Sequence, residues 1–70
     1  MSIRVTDVLE AYEDLLDARE EEKVEDYYVR EFELAYADLD PEELSEVYDK
    51  VKEIVKEDAR WQEFLDLMEV

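Results

Sequence analysis

The residues with the most capacity for chemistry in this chain are carboxylates, and they crowd one stretch. Between Thr6 and Asp26 stand Asp7, Glu10, Glu13, Asp14, Asp17, Glu20, Glu21, Glu22, Glu25 and Asp26, accompanied by only two cations, Arg19 and Lys23. Carboxylates can exchange protons, ligate hard metal ions or meet cationic surfaces. Proton exchange needs a pair set apart by its environment, and such abundance singles out none. A calcium loop is suggested by Asp38-Leu39-Asp40, but its glycine and its terminal glutamate in register are missing. A cationic surface is the target these residues fit best.

Other catalytic chemistry is thinly represented. The chain has no histidine, cysteine or glycine. The commonest general base, the thiolate nucleophile and the glycine-rich phosphate loop are therefore ruled out. Apart from tyrosines, the hydroxyls are Ser2, Thr6 and Ser45, and none stands in a nucleophile motif. The expectation is a binding protein with no enzymatic activity, no cofactor and no metal.

Spacing sorts the carboxylates. Asp7, Glu10, Asp14, Asp17 and Glu21 follow one another at three or four residues, which on a helix makes one ridge; Glu13 and Glu20 flank it. Asp7 to Glu21 spans about 21 Å at 1.5 Å per residue. Those seven charges fall one per ~3 Å, against one per ~3.4 Å for a single DNA strand and ~1.7 Å for the duplex. Like charges at helical spacing cost a few tenths of a kcal/mol per pair, and Arg19 alone offers local relief. The third helix described below places Glu46 near Lys50, Asp49 near Lys52 and Glu53 near Lys56, so its charged face is expected to compensate itself.

Helices must position these groups. Val5, Val8, Leu9, Tyr12, Leu15 and Leu16 form an apolar stripe on the stretch that carries the ridge. Ser2 or Thr6 can cap it; Thr6 is preferred, since Asp7 follows at the positive end of the helix dipole, and the helix is predicted from about Asp7 to about Glu22. A bend is expected at Glu21 to Glu25, where the apolar stripe lapses. Residues 24–39 carry both strand and helix signals. Val24, Tyr28, Phe32, Ala35, Tyr36 and Leu39 fit a helix face, and a lone strand would have no partner, so helix is preferred.

Asp40-Pro41-Glu42-Glu43 marks the next helix start, with Asp40 as cap, Pro41 in the first turn and Glu43 completing a capping box. Leu44, Val47, Tyr48, Val51, Ile54 and Val55 form its apolar face. Trp61, Phe64, Leu65 and Met68 follow without a break in period, which favours continuation of the third helix over a fourth one after Asp58. The fold class is all-α, a single domain over residues 1–70, built as a small bundle of three to four helices closed within the chain or by homodimerisation.

The formal charge is −16 over 70 residues, of which 1–40 carry −10 and 41–70 carry −6. Such a balance repels nucleic acid and anionic membranes and attracts basic protein surfaces with salt-sensitive association. Five tyrosines, two phenylalanines and one tryptophan argue against disorder. Tyr12, Tyr28, Tyr36, Tyr48 and Trp61 are expected in the core, whereas Tyr27 cannot share the face of Tyr28 and is expected to be an exposed partner anchor. Without cysteine, signal peptide or membrane span, the expected location is cytoplasmic, in a bacterial host cell.

Small size, helical pattern, absence of Cys and Gly, and the 7–26 carboxylate ridge beside exposed aromatics resemble the acidic phage proteins that disable host factors. Within that class the chain looks like the small acidic DNA-mimic inhibitors of the bacterial nucleoid protein HU. The resemblance implies a protein, able to dimerise, that occupies the DNA-binding surface of a basic host protein and displaces DNA without touching nucleic acid itself. The residues expected to carry this are Asp7, Glu10, Glu13, Asp14, Asp17, Glu20, Glu21, Glu22, Glu25, Asp26 and Tyr27. The alternative is a phage-type interaction inhibitor or antitoxin, of the anti-CRISPR or RNA polymerase-binding kind, that works through an apolar and tyrosine surface. A salt-adapted protein whose acidity serves hydration is a third reading.

Overall fold

Apolar residues recurring at helical period over nearly the whole chain produce four α-helices in the computed structural model, which describes residues 3–69. They are α1 (Ile3–Glu20), α2 (Glu25–Ala37), α3 (Pro41–Glu57) and α4 (Gln62–Glu69), with a 3₁₀ turn, Ala59–Trp61, leading into α4. The ambiguous 24–39 segment is helical. No strand occurs among the described residues. Helix α1 lies in the middle, packed against α2 and α3, and α4 folds back onto α3.

Helix α1 begins a turn earlier than expected. Thr6 is helix interior and half-buried, so it is no cap; the alternative, Ser2, lies outside the described residues. Tertiary contacts override the local capping signal here. Val5 is fully buried. Arg4 donates to the Asp38 carbonyl at 3.2 Å and pairs with Glu43 at 3.6 Å, which ties the first turn to the α2–α3 connection.

The expected bend is a Schellman turn. Lys23 N–H donates to the Ala18 carbonyl at 2.9 Å and Glu22 N–H to the Arg19 carbonyl at 3.4 Å. The motif needs a left-handed residue, usually glycine, and a chain without glycine puts Glu22 there at φ 57°. The turn closes even so, because α2 must return along α1. Val24 precedes α2 and is exposed, so it is not on the apolar face assigned to it.

The start of α3 follows its sequence signal. Asp40 N–H donates to Glu43 Oε1 at 3.0 Å in a capping box, with Pro41 at the first helical position. Its other end corrects the expected continuation. Asp58 leaves helical geometry at φ −139° and ψ 99°, and its carboxylate accepts from the Arg60 amide at 3.0 Å. The Arg60 guanidinium also grips that carboxylate, at 2.7 Å, and holds its pKa below the ordinary aspartate value. A side chain that bonds its own downstream backbone competes with the helix ladder, and here it wins. An unbroken apolar period cannot register such a cap, since the break costs no phase.

The core closes within one chain. Val5, Val8, Tyr12, Leu15 and Leu16 of α1 meet Phe32 of α2, Val47 and Val51 of α3, and the pair Trp61 and Phe64. Tyr12 is its hub. Its ring centroid stands 5.3 Å from Phe32, 4.8 Å from Trp61 and 4.9 Å from Phe64, all tilted, which is favourable aromatic geometry. Its hydroxyl donates to the Arg60 carbonyl at 3.1 Å, and burial pushes its pKa above the ordinary tyrosine value. Tyr28, Tyr36 and Tyr48, also expected in the core, are only half-buried.

The turn at Glu22 and the Tyr12 hub set three stability outcomes. Glu22→Gly removes the left-handed penalty and raises stability by roughly 0.5–1 kcal/mol, read in urea melts. Tyr12→Phe loses one hydrogen bond, about 1 kcal/mol. Tyr12→Ala loses about 3–5 kcal/mol, a large share of the roughly 4–10 kcal/mol a chain this long possesses, and its urea midpoint falls far below that of Tyr12→Phe.

Candidate functional site

The turn at Glu22 decides the shape of the acidic surface. Because α2 doubles back, the α1 ridge becomes one wall of a groove instead of continuing as a longer rod. Asp7, Glu10 and Asp14 of α1 face Glu31 and Asp38 from the α2 side across a groove of about 420 Å³. The same trough runs on past Asp14 and Tyr28 to Asp17 and Glu21. Small residues make the approach of the two helices possible: Ala18 is buried, and Ala11 and Ala35 line the floor.

Aromatic and aliphatic groups line the remainder. Tyr27 is 61% exposed, as expected, and Tyr28 is half-buried, yet both border the groove, with rings edge-on at 5.2 Å. Tyr27 is thus the exposed member of the pair, although both residues reach the groove. Leu34, 59% exposed, lies on the same rim.

Cations decide which carboxylates are available. Arg60 reaches Glu20 at 2.6 Å across 40 residues of sequence, and Lys23 holds Glu21 at 2.8 Å. Arg19, expected to relieve the ridge, instead turns away to Glu25 at 2.7 Å and Glu63 at 3.0 Å. Glu22, in the connecting turn, and Asp26, in the first turn of α2, are exposed and line neither part of the groove. Glu13 flanks the ridge outside it. Of the expected partner-binding residues, the structure thus gathers Asp7, Glu10, Asp14, Asp17 and Tyr27 with unpaired side chains, and Glu21 as an ion pair.

Glu31 and Asp38 escaped sequence reasoning. They stand more than twenty residues from Asp7 and share no helical face with the ridge, so only the return of α2 unites them. The one usable signal was the break itself: a predicted bend followed by a second helix implies an antiparallel neighbour. None of the ion pairs among the described residues involves Asp7, Glu10, Asp14, Asp17, Glu31 or Asp38. No group of three carboxylates among the described residues is placed to hold a metal ion. The charges are strung along the groove, an arrangement suited to a row of cations.

The third helix is less compensated than its spacing suggests. Glu53–Lys56 closes at 3.3 Å, but Glu46–Lys50 and Asp49–Lys52 do not; Lys52 lies over the Tyr48 ring at 5.2 Å. Exposed ion pairs barely repay the side-chain entropy they cost, so a ring face competes successfully. No helix is long and apolar enough to cross a membrane among the described residues. Comparison with protein-family models, curated protein sequences and solved structures gives no match.

Asp14 has Glu10 and Asp17 as helical neighbours, so Asp14→Lys replaces two repulsions by two attractions. It stabilises the fold by roughly 0.5–1 kcal/mol at low ionic strength, and the gain fades in molar salt. Paired thermal melts at the two salt concentrations read the difference.

Proposed function

We propose that this chain is an acidic binding protein whose α1–α2 groove occupies the DNA-binding surface of a basic protein, displacing DNA as a mimic of its phosphate backbone. The observation that carries this reading is the segregation of charge: Arg19 and Arg60 pair outside the groove, Lys23 at its end is held by Glu21, and six groove carboxylates make no ion pair among the described residues. Asp7, Glu10, Asp14 and Asp17 alone span about 15 Å, one charge per ~4 Å, close to the ~3.4 Å of one DNA strand.

The groove also suits the side chains it would receive. Lysine and arginine bury aliphatic stems on apolar surface while their heads stay polar, and they favour aromatic faces. Tyr27, Tyr28 and Leu34 offer such surface beside the carboxylates. Binding of this kind needs no catalytic group. The nucleoid protein HU is the partner to test first, on the class resemblance noted above.

The purified chain is expected to release duplex DNA from HU in a gel-shift competition. Because the contacts are ionic, its affinity falls about tenfold or more between roughly 0.05 and 0.3 M salt. The double charge reversal Asp14→Lys, Asp17→Lys abolishes competition while leaving helicity intact. Failure to displace DNA from HU and from every other bacterial DNA-binding protein tried overturns the proposal.

A further inference from the structure

The other face of α2 borders a different surface. Helices α2 and α4 both rest on Tyr12 yet do not pack along one another, and the gap between them is a cleft of about 510 Å³. Its floor is Tyr12, Phe32 and Phe64, and its walls are Val29, Tyr36 and Leu67. Leu67 is 51% exposed although α4 is short and places its other large apolar residues inward. None of these residues lines the acidic groove.

The rim of the cleft is anionic. Glu33, Glu63 and Asp66 border it, and the one cation present, Arg19, is already held by Glu25 and Glu63. Glu33 has no ion pair, and Asp66 accepts only a neutral amide, from Gln62 at 2.8 Å. An occupant must therefore be apolar at its centre and cationic at its edges. A second copy of this chain, itself at −16, would bring its own net charge against that rim.

We propose that the α2–α4 cleft docks an amphipathic helix of a partner protein, with large apolar side chains one turn apart flanked by Lys or Arg. The volume lies within the ~300–1,000 Å³ range of ligand sites, room for several apolar side chains, and helices enter such grooves through anchors at i, i+4 and i+7. The cationic flanks meet Glu33 and Asp66, while the apolar face covers Leu67 and Phe64. This docking stands independently of the acidic groove and of DNA mimicry.

The probe is a helical peptide with leucines on one face and lysines on the other, and a counterpart with glutamate in place of lysine. Binding to the intact chain is read from Trp61, the only tryptophan, whose ring stacks on Phe64. The lysine peptide binds saturably; Leu67→Glu and Glu33→Lys each weaken it about tenfold or more, the size of effect expected for central contacts. Glu57→Lys, the same charge change on an exposed position of α3 outside both the cleft and the acidic groove, changes its affinity by less than about threefold, within surface screening. Leu67 and Glu33 are both exposed, so the two variants are independent checks should one fold poorly. Equal binding of the glutamate peptide overturns the proposal, as does equal sensitivity to Glu57→Lys, which would mean undirected charge attraction. So does self-association in sedimentation that Leu67→Glu abolishes, which would make the occupant a second copy, or binding of an apolar dye without binding of the peptide.

Discussion

One aromatic contact set holds this small protein together. Tyr12, in the middle of α1, touches Phe32 from α2 and both Trp61 and Phe64 from the C-terminal segment, and its hydroxyl holds the Arg60 carbonyl where the chain turns into α4. A chain of this length buries a limited share of its surface, so each large side chain carries much of the driving force. Aromatics suit the task because each covers a large area with few rotamers. Everything else hangs on that hub. The packing of α2 against α1 shapes the acidic groove, and the separation of α2 from α4 opens the apolar cleft.

The second organising feature is the use of cations. Arg4 ties the start of α1 to the α2–α3 connection, Arg19 joins α1 to α2 and α4, and Arg60 joins the break after α3 to the end of α1. Arginine's planar fork can serve two carboxylates at once, and all three sit at corners of the fold. Each exposed pair is individually weak, but together they draw positive charge away from the α1–α2 groove. The groove carboxylates repel one another as a result, a cost that a surface shaped for stability alone would relieve. Binding a cationic surface would relieve it from outside, and this is the physical link between fold and proposed function.

Much of the fold was legible because it rests on local rules. The apolar stripe of α1, the Asp40-Pro41-Glu43 start of α3 and the helicity of residues 24–39 are all decided within a few turns of chain. The misreadings share a cause. Thr6 carries a capping signal that burial of Val5 and the anchoring of Arg4 override. Asp58 ends α3 through a side-chain bond that hydropathy does not record. Lys52 prefers a tyrosine ring to the aspartate that spacing offered it. In each case a contact worth about 1 kcal/mol competes with another of similar size, and spacing alone cannot rank them.

Period, propensity and charge along single helices are enough to read the helical class, the bend near Glu21, the exposed Tyr27 and the dense carboxylates of α1. Only the tertiary structure decided which carboxylates remain free. Glu20 is neutralised by an arginine 40 residues away, and Glu31 and Asp38 join the ridge because Glu22 accepts a left-handed turn. The reason is that counterions and groove walls are matters of distance in space. A ridge read along one helix becomes a site only when a second helix closes beside it.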